Sequence, residues 1–130
     1  MRIHKSTDCA IRILHYLCHY TSCDDIPTAQ TISEAVGITY PYFTKIAYKL
    51  KRKGLIVSMQ GRHGGYQVTK TAHETSVYDV ILAVEGKFET SYISGEDTAE
   101  CALQNYYKEI HEELVNRLSG KYIADFGTIW

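Results

Sequence analysis

Apolar positions recur first at helical spacing, then at strand spacing, then again at helical spacing. From Ser6 to about Tyr20, Ala10, Ile13, Leu14 and Leu17 fall three or four residues apart, which predicts a helix with one buried face and Ser6 as its N-cap. The loop "TSCDDIP" follows. Thr28 caps a second helix with Ala29, Ile32 and Val36 on one side, and Gly37 closes it. After only "GIT" a third helix begins, with Pro41 near its first turn, where a missing N–H costs little. Its inward stripe is Phe43, Ile46, Ala47 and Leu50, its outer face shows Thr44, Lys45, Tyr48, Lys49 and Arg52, and Gly54 ends it.

The runs Leu55–Gln60 and Tyr66–Lys70 read as the two strands of a hairpin. Ser76 and Asp79 have the spacing of a capping box that opens a fourth helix, with Val77, Val80, Ile81 and Val84 inward, up to "EGKF". Residues 89–100 are polar and loop-like. A final helix over roughly 99–118 carries Leu103, Tyr107, Ile110, Leu114 and Leu118 at intervals of 4, 3, 4 and 4. So narrow a seam suits pairing with a second helix, so these five are the candidate dimer interface. The ending "KYIADFGTIW" has enough apolar mass to dock.

These elements predict a mainly α fold with one small β-hairpin: a winged helix-turn-helix plus a long C-terminal dimerisation helix. The expected division is a DNA-binding domain over 1–86, a loop over 87–98, and a dimerisation helix with its tail over 99–130.

Charge sharpens this picture. The net charge of −1 hides a segregation: residues 35–73 hold seven Lys and Arg and no Asp or Glu, whereas from Glu74 onward there are four basic and eleven acidic residues. One part of the chain is suited to a polyanion and another is not. No apolar run approaches the length of a membrane span, and Asp8 and Arg12 interrupt the start, so neither a signal peptide nor a membrane partner is expected and the cytoplasm is the default location. The four cysteines (Cys9, Cys18, Cys23, Cys101) form no CxxC pair and predict no disulfide framework.

The stretch "GRHGGY", Gly61–Tyr66, joins strand to strand. A phosphate-binding loop would join strand to helix and carry a GxGxxG or Lys-Ser/Thr pattern, so a nucleotide site is disfavoured. A plain turn and a DNA-touching wing remain. The preceding basic helix and the Arg62-His63 tip favour the wing, which reaches backbone or minor groove while the helix enters the major groove.

The stretches "TISEAVGI", "YFTKIAYKLKRKGLIVSMQGRHGGYQVTK" and "SVYDVILAVEG" resemble the Rrf2 family of bacterial winged-helix transcription regulators, which includes the iron–sulfur cluster regulator and the nitric-oxide-sensitive repressor. The likeness runs from "TDCAIR" to about Gly86, and the tail "LSGKYIADF" is similar more weakly. It implies a homodimer clasped by the last helix and an inverted-repeat operator. Two positions depart: Thr39 follows Ile38 where the family usually has Pro, and Gln60 stands where many members have Arg.

Within that frame Thr39, Tyr40, Thr44 and Lys45 are candidate base readers. Tyr48, Lys49 and Arg52 are candidate phosphate contacts, and Gln60, Arg62, His63, Gly64 and Gly65 belong to the wing. Tyr42 stands between core support and DNA contact. The function expected is sequence-specific DNA binding as a homodimeric repressor; a protein-interaction module without operator binding is the alternative. No acid–base or nucleophile arrangement points to an enzyme.

The resemblance also implies an iron–sulfur cluster on three cysteines before the final helix. That set is absent, since only Cys101 lies there. Asp8 and Cys9 occupy a region that joins in ligation across the dimer in some members. For Cys9 and Cys101 three readings stand: inert packing, a thiol or disulfide switch, and a cluster or metal completed by Asp8 or a histidine. His15 and His19, four apart, have metal-binding spacing but read as ordinary helix residues.

Overall fold

The computed structural model describes residues 3–20, 26–88 and 102–127. Five helices and a hairpin follow in the order α1 (Lys5–Cys18), α2 (Ala29–Val36), α3 (Tyr40–Arg52), β1 (Ile56–Met59), β2 (Gly65–Val68), α4 (Val77–Glu85) and α5 (Ala102–Ser119), with a final 3-10 turn at Ile123–Phe126.

Local chemistry explains three helix starts. Thr28 Oγ1 accepts the Thr31 N–H, Thr39 Oγ1 accepts the Tyr42 N–H, and Ser76 with Asp79 forms a reciprocal capping box. Gly37 ends α2 at φ 81°, a left-handed conformation that glycine adopts without strain. The start of α1 differs from expectation. Ser6 lies inside the helix and His4 is the N-cap, without a side-chain cap of its own. Glu85, from the end of α4, ties this start to α4 instead: its Oε1 accepts the His4 N–H at 3.3 Å and the Thr7 hydroxyl at 2.6 Å. α1 also stops at Cys18 rather than Tyr20, and β2 begins at Gly65, one residue earlier than the pattern suggests.

The strands pair antiparallel, from Ile56 opposite Val68 to Met59 opposite Gly65. Ile13, Leu14, Ile32, Phe43, Leu50, Ile56 and Val80 make the centre of one core shared by α1 to α4 and the hairpin. The stripe expected on α3 is the one found: Phe43, Ile46, Ala47 and Leu50 are all buried. Val77, Ile81 and Phe88 form a second cluster, against which Leu114, Val115 and Leu118 of α5 pack half-buried.

The tail docks through Ile123, which is fully buried in the main core. Three backbone bonds hold this segment to the approach to α4: Val77 N–H to Lys121 O, Ile123 N–H to Thr75 O, and Ala124 N–H to Ala72 O, at 2.8–3.0 Å. Its far end is held by the buried His15 ring, whose Nε2 donates to the Gly127 carbonyl.

Candidate nucleic-acid interface

The buried stripe of α3 dictates what its other side shows. With Phe43, Ile46, Ala47 and Leu50 inward, the 3.6-residue period turns Tyr40, Thr44, Lys45, Tyr48 and Arg52 to solvent. Tyr40 is 59% and Tyr48 66% exposed, a large apolar area to leave in water on a well-packed domain. Lys49 is half-buried beside them. Thr39 begins the helix with its hydroxyl engaged as the cap at 3.3 Å. Thr44 donates its hydroxyl to the Tyr40 carbonyl one turn back.

Tyr42 faces inward. It packs against the main core, the Lys5 ammonium lies 5.9 Å from its ring centre, and burial first, then the neighbouring Cys9, pushes its phenol pKa up. Lys5 is a residue that sequence reasoning missed near this surface. Nothing around position 5 signals it, because α1 brings it to α3 only through tertiary packing.

The wing follows at once. Lys51 Nζ donates to Ser58 Oγ at 2.7 Å, joining the end of α3 to β1. Gln60, Arg62 and His63 are exposed at the turn, and Gly61 makes the bend at φ 104°. The other two glycines are used inward. A Cβ at Gly64 would overlap the Met59 carbonyl, and one at Gly65 would overlap the Pro27 carbonyl and crowd Ile26. Gly65 is buried, and the next N–H, from Tyr66, bonds Pro27 O at 3.0 Å. The smallness of Gly64 therefore lets the turn close on itself, and that of Gly65 seats the wing on the segment before α2. The Tyr66 ring meets Phe43 edge-on at 5.2 Å, adding a side-chain contact between wing and helix.

The Rrf2 family model, described as that of an iron-dependent transcriptional regulator, matches residues 3–128. The chain belongs to this family of transcriptional regulators. It is 28% identical to the transcriptional regulator NsrR of Halalkalibacterium halodurans over 103 residues, covering 79% of this chain and 70% of that one. It is 26% identical to the transcriptional repressor NsrR of Streptomyces coelicolor over 129 residues, covering 96% and 87%. Among solved structures, CymR, the global cysteine regulator of B. subtilis, superposes with a TM-score of 0.80 at 17% identity, over 97% of this chain and 95% of that one. That likeness carries the winged-helix fold.

Of the residues named for a sensor, Asp8 and Cys9 are described, and they are placed differently. Asp8 is exposed and paired with Arg12 at 3.0 Å, whereas Cys9, one residue on and so about 100° around the helix, is buried in the core. Burial, and secondarily the Asp8 charge, pushes the Cys9 thiol up, away from the thiolate that binds iron. Cys101 lies outside the described residues, as does Cys23. Among the described residues no three His, Cys, Asp or Glu side chains are placed to share a metal. The described residues do not fit a cluster held by Asp8 and Cys9. His15 and His19 stack at 4.2 Å; His15 holds the tail and His19 Nδ1 bonds the His15 carbonyl at 2.8 Å. No helix among the described residues is long and apolar enough to cross a membrane.

Proposed function

We propose that the chain is a homodimeric repressor that places α3 in the major groove of an inverted-repeat operator and rests its wing on the flanking backbone or minor groove. One observation carries the reading: the solvent face of α3 and the adjoining wing tip present Lys45, Lys49, Arg52, Arg62 and His63, with no carboxylate anywhere in residues 35–73. On such a face Thr39, Tyr40, Thr44 and Lys45, at the helix start, are the base readers. Tyr48, Lys49 and Arg52 lie further along and meet phosphates. Residues 1–86 then form the DNA-binding unit, and α5 with its tail forms the dimerisation unit.

The second copy is inferred from α5. None of its residues is buried within one chain; Leu103 is 56% and Tyr106 58% exposed, and Tyr107 and Ile110 are only half-covered. Pairing with the same helix of a second copy would cover this seam, and a two-fold axis would set two α3 helices a whole number of DNA turns apart. The site of action is the bacterial cytoplasm.

The test is selection of duplex fragments by the purified chain, followed by gel retardation at several salt concentrations. A palindromic sequence bound two chains at a time, with affinity falling linearly in log salt, is the expected result. A chain that retards no duplex is instead a protein-docking module.

A further inference from the structure

A cavity of about 570 Å³ opens on the face between α1, the exit of β2, the turn before α4 and the 3-10 turn. Its half-buried apolar lining comes from Val68, Ala72 and Ala124, and its exposed lining includes His19, Lys70 and His73. Such a volume, with apolar walls and a few polar groups at one side, is in the range of small-molecule sites.

The polar groups are unequally engaged. Glu74 is turned to its own loop, where its carboxylate accepts the Thr71 hydroxyl at 3.1 Å. Among the described residues neither the Lys70 ammonium nor the His73 ring has a hydrogen-bond or ion-pair partner. The Lys70 ammonium has only donors to offer and the His73 ring has an N–H, so the ligand they suit together is an acceptor. Cys18 also lines the space, and burial pushes its thiol pKa up, which makes it a wall atom and a poor nucleophile.

The position of the cavity bears on function. Thr69, part of the wall, donates its N–H to Leu55 O at 3.1 Å and its hydroxyl to Gly54 O at 2.5 Å, two of the three residues that join α3 to β1. Ala124, opposite, is bonded to Ala72 and belongs to the tail that follows α5. A ligand here would touch both the clamp on the end of α3 and the segment leading from α5.

We propose that this cavity is an effector site for a small organic anion. Its apolar body lies on Val68, Ala72 and Ala124, and its carboxylate or sulfonate is held by Lys70 and His73. Occupancy alters the setting of α3 relative to the wing and so changes DNA affinity; this second half alone rests on the function proposed above.

The probe is anilinonaphthalene sulfonate, followed by fluorescence on the full chain, beside neutral N-phenylnaphthylamine, which keeps the aromatic body and lacks the charge. The sulfonate should saturate. In a Lys70→Ala/His73→Ala variant, whose changes are at exposed positions, its affinity should fall about tenfold, and the neutral compound's by less than about twofold. Unchanged sulfonate affinity in the variant, or no saturable binding to the native chain, overturns the site. With a selected duplex, saturating sulfonate should shift DNA affinity by about fivefold in the native chain and not in the variant. A duplex affinity that ignores the bound sulfonate overturns the coupling. A chain that binds the sulfonate as expected but retards no duplex refutes the DNA reading and leaves the site standing.

Discussion

α3 and α5 are both amphipathic helices with one apolar stripe, yet the same chain treats them differently. α3 buries Phe43, Ile46, Ala47 and Leu50 completely among its own neighbours, so what remains outside is free to serve a ligand, and it is basic. α5 buries none of its residues. Leu114 and Leu118 lean on α4, while Leu103 and Tyr106 at the other end stand in water. A helix whose apolar side is satisfied offers its polar side to a polyanion. A helix whose apolar side is half satisfied calls for another apolar surface. The contrast supports the proposal that α3 meets DNA and α5 a second copy.

The comparison breaks most directly at Phe43. Phe43→Ala empties the centre of the α3 stripe and should cost about 3–5 kcal/mol of stability, read by urea denaturation. A loss of under about 1 kcal/mol would mean that α3 is not self-sufficient in this way. Next comes the seat of the wing. Gly65→Ala forces a methyl group into the Pro27 carbonyl and should destabilise by about 1–3 kcal/mol, with a loss of duplex binding in gel retardation. A stable Gly65→Ala chain that still binds duplex would show that the wing is not held there.

On α5, Leu103→Glu should leave the denaturation midpoint of a single chain almost unchanged. It should weaken self-association by about 1–2 kcal/mol, measured by sedimentation equilibrium. Equal self-association in both proteins would remove α5 from the interface. The smallest effect belongs to Lys49→Ala. Stability should stay within about 0.5 kcal/mol, while the slope of log affinity against log salt falls by about one, alike on operator and random DNA. A loss confined to operator DNA would make Lys49 a base reader.

Much of the α3 surface is legible in the order of residues alone. Thr39, Pro41 and Gly54 bound the helix, the stripe follows from periodicity, and the missing carboxylates are a matter of counting. The wing is half legible. Its strands and the bend at Gly61 follow from the pattern, but the work of Gly64 and Gly65 does not, because their neighbours are the carbonyls of Met59 and Pro27 and only folding brings Pro27 there. Tyr42 is ambiguous for a like reason: it stands at the border of two faces, and packing against the core beside Lys5 of another helix decides which one it joins. The seam of α5 is visible as a pattern, yet its division between an intrachain half and a free half depends on where α4 lies.

By itself the sequence determined the starts of α2, α3 and α4, the inward faces of α1, α3 and α4, and the segregation of charge. Each rests on residues within a few positions of one another, through caps, helical period and composition. Tertiary structure alone decided that Glu85 ties down the start of α1, that Pro27 seats the wing, that His15 holds the tail at Gly127, and that a cavity opens beside Lys70 and His73. Those contacts join residues far apart along the chain, and their partners are selected by shape once the core has closed.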